Sequence, residues 1–174
     1  AGQDNVIYEI CNEPNGAVTW KKHIKPYAKT IIGTIRKYSK NAVIVVGTPT
    51  WSQDVDVVAQ SPLRSKNVMY ALHFYAATHK EWIQDKLKKA HKKGLPVMVT
   101  EFSICDASGN GALDKASARK WMKLLDKYNI SYTAWSLCNK NESSALIESS
   151  CNKTSGWTRS NLSPAGKWYF DQTK

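Results

Sequence analysis

Short apolar runs alternate with amphipathic stretches along the whole chain. The runs are rich in β-branched residues and lie between turn-forming residues, which is typical of strands buried in a parallel sheet. We predict five such strands, at residues 6–11, 42–47, 68–75, 97–102 and 130–137. The segments that follow the strands have the apolar spacing of helices. The pattern therefore predicts an α/β protein built from five strand–helix units.

Proline, serine and glycine mark the ends of the predicted helices. Pro26 places the start of the first helix, because proline is tolerated in a first turn and not later. Ser163 and Pro164 begin the last helix as its N-cap and first-turn proline, and Gly94 ends the third. The predicted buried faces are Tyr27, Ala28, Ile31, Ile35 and Tyr38 in the first helix, Ile83, Leu87 and Ala90 in the third, and Ala118, Trp121, Met122 and Leu125 in the fourth.

Two glutamates stand at predicted strand ends. Glu13 lies in the Asn-Glu-Pro turn after the first strand, and Glu101 lies at the end of the fourth. The carboxyl ends of parallel strands are where such folds keep their chemistry. Either residue alone could be a polar strand end that leads into a turn. Together, one protonated and one ionised carboxyl would meet the needs of glycoside hydrolysis.

Six blocks of sequence, in order, resemble glycoside hydrolase family 5 and in particular its bacterial-type endo-β-1,4-glucanases, or cellulases. The blocks are residues 7–16, 47–55, 69–75, 100–102, 106–111 and 135–137, and the resemblance runs from end to end of the chain. It implies a TIM barrel of which residues 1–174 form a single domain, the C-terminal five of eight units. A whole barrel of this kind takes about 250 residues.

The resemblance assigns the acid/base role to Glu13 and the nucleophile to Glu101. This pair implies double displacement with retention, at a carboxyl separation of about 5–5.5 Å. Asn12 resembles the family's donor to the sugar 2-hydroxyl, while His73 and Tyr75 resemble the pair that orients the two carboxylates. The alternative for an isolated histidine in a strand is a core residue.

Four further residues resemble substrate contacts. Trp135 would lie beneath the sugar at the cleavage point and Trp51 would stack on the leaving-group side, while Lys140 and Glu142 would contact neighbouring glucose units. A tryptophan at a strand tip is otherwise an ordinary packing residue. We expect neither a metal nor a cofactor. Three departures from the commoner family sequence should alter packing more than chemistry: Phe102, Cys105 and Cys138.

The family's active site also uses an arginine and a histidine from early strands that this sequence lacks. We expect a retaining endo-β-1,4-glucanase acting on cellulose or other β-1,4-glucans, present as a truncated catalytic domain. The alternative is a catalytically weak partial barrel that binds β-glucan oligosaccharides without efficient turnover. A partial barrel has two open sheet edges. We expect these edges to pair with a second copy or with a complementing N-terminal barrel fragment.

The net charge of +11 raises nucleic acid as a partner. The lysines concentrate at residues 86–93, however, on a helix whose other face is apolar, and no aromatic residues interleave with them. A solvated helix face explains this run better, so we expect no nucleic-acid partner. No run of 18 or more apolar residues is present, so we expect no membrane partner. The resemblance implies a secreted, extracellular protein.

Four cysteines occur without the spacing of a metal site. Cys105 and Cys138 follow successive strand ends, so a disulfide between them and two free thiols are equally open interpretations. We expect Cys11, within a strand, to be a small core residue.

Overall fold

The structure is a computed structural model that describes residues 5–173. Its strands are β1 (Ile7–Ile10), β2 (Val43–Val46), β3 (Val68–Tyr75), β4 (Val97–Ser103) and β5 (Tyr132–Ala134). Its α-helices are α1 (Lys25–Tyr38), the single turns α2 (Pro49–Ser52) and α3 (Val55–Val58), then α4 (Glu81–Lys92), α5 (Lys115–Lys127) and α6 (Pro164–Gln172). A π-helical turn, Trp20–Ile24, precedes α1, and a 3-10 turn, Arg159–Asn161, precedes α6.

The five strands form one sheet in the order β1-β2-β3-β4-β5. Ile7 pairs with Val43 in a parallel register, and Ile44 pairs with Val68 in the same sense. Sequential order with helical crossovers is the arrangement of consecutive TIM-barrel units. None of the helices in residues 5–173 combines the length and apolar character that a bilayer-spanning segment needs.

The chain divides into two compact units. Among the described residues, unit 1 comprises residues 5–73 and 85–99, and unit 2 comprises residues 74–84 and 100–173. In unit 1, β2 is almost entirely buried, as its continuous apolar sequence predicts. The buried Trp20 packs edge-on against Tyr70 with ring centroids 5.8 Å apart, and its indole N–H donates to the Ser61 carbonyl.

Unit 2 is built around stacked aromatic rings. Phe74 lies between Trp121 and Phe102, at centroid distances of 3.9 and 5.2 Å. Asp114 caps α5 by accepting from the Ser117 N–H at 2.8 Å. The predicted start of α6 is confirmed: the Ser163 hydroxyl accepts from the Gly166 N–H at 3.0 Å and Pro164 follows in the first turn. The predicted buried face of α5 is confirmed in full.

The charged helix α4 has the predicted division of faces. Ile83, Leu87 and Ala90 are fully buried, while Lys88, Lys89, Lys92 and Lys93 are exposed. Lys86 differs from this scheme because its ammonium group lies 2.6 Å from the Asp54 carboxylate. Gly94 ends the helical segment with a left-handed φ of 72°, as predicted.

Both outer strands are shorter than predicted. β1 covers residues 7–10 and is largely exposed, with Ile7 at 53%, because it pairs with β2 on one side only within the described residues. β5 covers three residues instead of 130–137. The Ile130 N–H still closes α5 by donating to Leu125 O, and after the cis peptide Trp135–Ser136 the chain pairs with residues 144–146.

The predicted face of α1 is partly wrong. Ala28 and Ile32 are its buried residues, while Tyr27 and Tyr38 are exposed. Ala28 and Ile32 are four residues apart and so share one face of the helix, and the predicted Ile31 and Ile35 are half-buried.

Cys11 is not the expected core residue. It lies beyond the end of β1, is half-buried and has a left-handed φ of 68°. All four cysteines are free thiols, so the disulfide between Cys105 and Cys138 is not formed in this structure. Cys105 is fully buried and donates to the Ser103 hydroxyl at 3.3 Å.

Candidate active site

Glu13 lies in a tight turn that follows β1 in unit 1. Its own φ is 44°, in the left-handed region. The Asn15 side chain donates to the Glu13 carbonyl at 3.0 Å, and the Trp51 N–H donates to the Pro14 carbonyl at 3.2 Å. The turn that carries the predicted acid/base is thus tied to the chain after β2 by backbone hydrogen bonding.

His73 on β3 is the side-chain partner of Glu13. The imidazole is buried, and its Nδ1 lies 2.9 Å from Glu13 Oε1, within hydrogen-bond distance. Its Nε2 lies 3.9 Å from Glu9 Oε1. One histidine therefore lies between two carboxylates of unit 1. The predicted contact between His73 and a site carboxylate is present, and Glu9 is an additional neighbour that sequence reasoning missed.

Glu101 on β4 is held within unit 2. The Tyr75 hydroxyl donates to Glu101 Oε1 at 2.6 Å, a short distance typical of a donor to a carboxylate. The Tyr75 N–H donates in turn to Nδ1 of His79 at 2.8 Å. Tyr75 therefore contacts the residue predicted as the nucleophile, and the roles of both residues stay predictions. His79 was not among the predicted site residues.

Four of the predicted sugar contacts are exposed: Asn12, Trp51, Trp135 and Lys140. Trp51 is 49% exposed and Trp135 is 44% exposed, which leaves indole surface for a ligand. Asn12 is exposed beside Glu13 in the sequence. Trp51 has a left-handed φ of 53° within α2. Trp135 follows β5, and its N–H donates to the Phe102 carbonyl at 2.8 Å.

Lys140 and Glu142 line one groove of about 240 Å³ in unit 2. Lys140 Nζ lies 3.9 Å from Glu142 Oε2, and the Ser144 hydroxyl donates to Glu142 Oε1 at 3.0 Å. Ser144 is fully buried, and its N–H donates to the Gly109 carbonyl. Glu142 is therefore held by a buried hydroxyl, a support that nothing in the sequence pattern indicated.

The structure brings the predicted residues together as three pairs. Glu13 lies with His73 in unit 1, whereas Tyr75 with Glu101, and Lys140 with Glu142, lie in unit 2. The catalytic roles of Glu13 and Glu101, the separation of their carboxyls and the single-domain organisation stay predictions. Parallel βα units that present hydrogen-bonded carboxylates after β1 and on β4 are typical of barrel glycoside hydrolases.

Comparison with known proteins identifies the family. Residues 1–141 match the cellulase family, glycosyl hydrolase family 5, and the chain belongs to that family. It is 51% identical over 162 residues to an endoglucanase of Clostridium saccharobutylicum, covering 93% of this chain and 36% of the relative. It is 44% identical over 170 residues to endoglucanase 5 of Pectobacterium carotovorum subsp. carotovorum, covering 98% of this chain and 34% of the relative.

Solved structures confirm the fold class. A structure from Cytophaga hutchinsonii superposes with a TM-score of 0.93 at 42% identity, over 97% of this chain and 55% of that one. The catalytic domain of Thermobifida fusca endoglucanase Cel5A, as a variant in complex with cellotetraose, gives a TM-score of 0.89 at 35% identity over 97% and 57%. The chain thus spans about a third of its curated relatives and just over half of these solved chains.

Proposed function

We propose that the chain supplies both catalytic glutamates of an endo-β-1,4-glucanase that hydrolyses cellulose or other β-1,4-glucans. The observation that carries this proposal is the 2.6 Å hydrogen bond from Tyr75 to Glu101. A short hydrogen bond from a hydroxyl holds a carboxylate in one position, as a nucleophile that attacks a bound sugar requires. The contact of His73 with Glu13 adds support on the acid/base side. The endoglucanase names of the relatives favour turnover over the alternative of a module that only binds oligosaccharide.

The proposed reaction is a double displacement. A Glu101 oxygen attacks the anomeric carbon while Glu13 gives its proton to the departing glycosidic oxygen, so that an ester bond forms as the glycosidic bond breaks. Glu13, now ionised, takes a proton from water, and the hydroxide oxygen attacks the same carbon and releases Glu101 as carboxylate. Two inversions give net retention.

The remaining residues take roles in binding. Asn12 would donate to the 2-hydroxyl, an interaction that strengthens as the oxocarbenium ion forms. The exposed indoles of Trp51 and Trp135 suit stacking on sugar rings. Lys140 and Glu142, at their groove, would contact neighbouring glucose units. We propose cello-oligosaccharides as ligands because a related endoglucanase is described in complex with cellotetraose, and we propose an extracellular location because polymeric cellulose cannot enter a cell.

Trapping the intermediate tests this function. A 2-deoxy-2-fluoro-β-cellobioside with a dinitrophenolate leaving group should label the chain once, and peptide mapping should place the sugar on Glu101. Glu101→Gln should abolish labelling. Glu81→Gln is the control, because it changes an exposed carboxylate of α4 that has no proposed role at the site, and it should still be labelled. A label on any other residue, or none, would overturn the assignment.

We also propose that the exposed edge of β1 is covered by a second copy or by a complementing barrel segment. Val6 and Ile7 are 39% and 53% exposed there, and an unpaired edge is a template for another strand. Multi-angle light scattering of the chain, alone and with the N-terminal half of a family 5 barrel, should show association. A strict monomer that does not bind that half contradicts the proposal.

A further inference from the structure

We propose that His79 is a positioning residue that fixes Tyr75 and, through the tyrosine hydroxyl, orients Glu101. The inference rests on the proposed role of Glu101 as the nucleophile. His79 lies in the turn between β3 and α4, outside the set of residues expected to touch substrate. Its contacts within unit 2 include the backbone of Tyr75 and the rings of Trp82 and Trp121.

Within the described part of the chain, the pairing of β3 with β2 ends before the level of Tyr75. The N–H groups of Tyr70 and Ala76 donate to carbonyls at Pro96 and Ser103, on the β4 side. Alternation along a strand directs the Tyr75 N–H to the opposite side. The register with β2 on that side ends at the pair of Val46 and Tyr70. Nδ1 of His79, at 2.8 Å from the Tyr75 nitrogen, takes the place of a strand carbonyl.

The imidazole is itself fixed in place. It is 7% exposed, and the His79 N–H donates back to the Tyr75 carbonyl at 2.7 Å. The fully buried Trp121 donates from its indole nitrogen to the His79 carbonyl at 2.8 Å. The Trp82 ring packs edge-on against the imidazole at 5.7 Å between centroids. A ring held this way can set the position of the strand end.

The hydrogen bond from the Tyr75 N–H defines the tautomer of the His79 imidazole. A backbone N–H can only donate, so Nδ1 must accept, and the ring proton must be on Nε2. A leucine would fill similar space without an acceptor. An asparagine places its Oδ1 near the Nδ1 position and can accept the same hydrogen bond. These two substitutions therefore separate the hydrogen bond from simple space filling.

Nuclear magnetic resonance on the isotope-labelled chain tests the inference without any need for turnover. We would measure hydrogen exchange of the Tyr75 amide and the chemical shift of the Tyr75 ring carbon that bears the hydroxyl. His79→Asn should leave both close to wild type. His79→Leu should speed amide exchange by about tenfold and move the ring-carbon signal toward that of Glu101→Leu, which removes the acceptor.

The controls keep the test decisive. His91→Leu, at the exposed histidine of α4, should leave both signals unchanged. If His79→Leu fails to fold, His79→Gln replaces it, since glutamine keeps a polar group but places it one bond too far. Unchanged Tyr75 signals in the Leu or Gln variant, or equal changes in the Asn variant, overturn the positioning role. Absence of the fluorosugar label on the wild-type chain would instead reject the nucleophile assignment. The Tyr75 amide exchange and ring-carbon shift would still show whether His79 positions Tyr75.

Discussion

Gly47, directly after β2, lies against the turn that carries Glu13. A Cβ at this position would be 2.1 Å from the Cys11 carbonyl oxygen and 2.9 Å from Pro14 Cδ. Neither neighbour is the end of a flexible side chain. The Gly47 N–H also donates to the Ile10 carbonyl at 3.3 Å, so the two segments cannot separate without losing that bond. Gly47→Ala must therefore push the turn away from β2.

The size of the effect follows from these distances. The Cys11 oxygen has to move by about 1 Å to reach an ordinary contact, and overpacking of this kind costs about 1–3 kcal/mol. For a chain of this length that corresponds to a fall in Tm of roughly 2–10 °C. The same movement should break the 2.9 Å contact of Glu13 with His73. A misplacement of about 1 Å in a catalytic group lowers turnover by about a hundredfold.

Thermal unfolding by circular dichroism, together with the rate of fluorosugar labelling, would measure both effects. Gly33→Ala is the matched control, because it makes the same chemical change within α1, where the added Cβ meets nothing within 4 Å beyond the helix's own backbone. A helical Gly→Ala change should stabilise by about 0.5–1 kcal/mol. The reasoning fails if Gly47→Ala melts and labels like wild type.

Three further predictions concern single side chains in unit 2. Tyr75→Phe removes the donor to the proposed nucleophile and should lower the labelling rate by about 10–100-fold with little change in Tm; equal rates would contradict the role of the hydroxyl. Burial raises the pKa of the Cys105 thiol, so iodoacetamide should alkylate it well after the half-exposed Cys138, as mass mapping would show. The hydrogen bond from Lys80 is the main reason why the pKa of the Asp114 carboxyl lies below its ordinary value of 3.8. The ionised carboxylate therefore stabilises the folded chain above that pH, and this stabilisation is lost as pH falls through the lowered pKa. Asp114→Asn should flatten the resulting fall in Tm on the acid side.

The interior of the fold was the most predictable part of the molecule. β3 has the predicted bounds, and the apolar stripe of α4, including Leu87, is buried as its spacing predicts. Both are packed on several sides, so burial and periodicity agree. The lengths of β1 and β5 were overestimated because an apolar sequence does not reveal where strand pairing ends.

In the candidate site, too, some residues were predictable from the sequence and others were not. Glu13, Glu101, His73 and Tyr75 are carried by strands or by the turns that follow them, and their spacing is visible in the sequence. The side chains that hold the site residues in place lie in loops close to them in sequence. Examples are the His79 imidazole that accepts from a strand N–H and the buried Ser144 hydroxyl that holds Glu142. A serine or histidine in a loop has no periodic signal, so only the folded structure shows which atom it reaches.

Left-handed backbone gathers on the two segments that carry Glu13 and Trp51. Cys11 and Glu13 have φ of 68° and 44°, and Thr50, Trp51 and Ser52 have φ of 53–57°. Each non-glycine residue in this region costs on the order of 1 kcal/mol or more, and glycine would relieve it at any of these positions. The two segments restrain each other, because the Trp51 N–H donates to the Pro14 carbonyl. A proposed catalytic carboxyl and a proposed sugar-stacking indole therefore occupy positions where backbone preference alone would select glycine. This pattern is expected where the side chain, and not the shape of the turn, determines which residue is present.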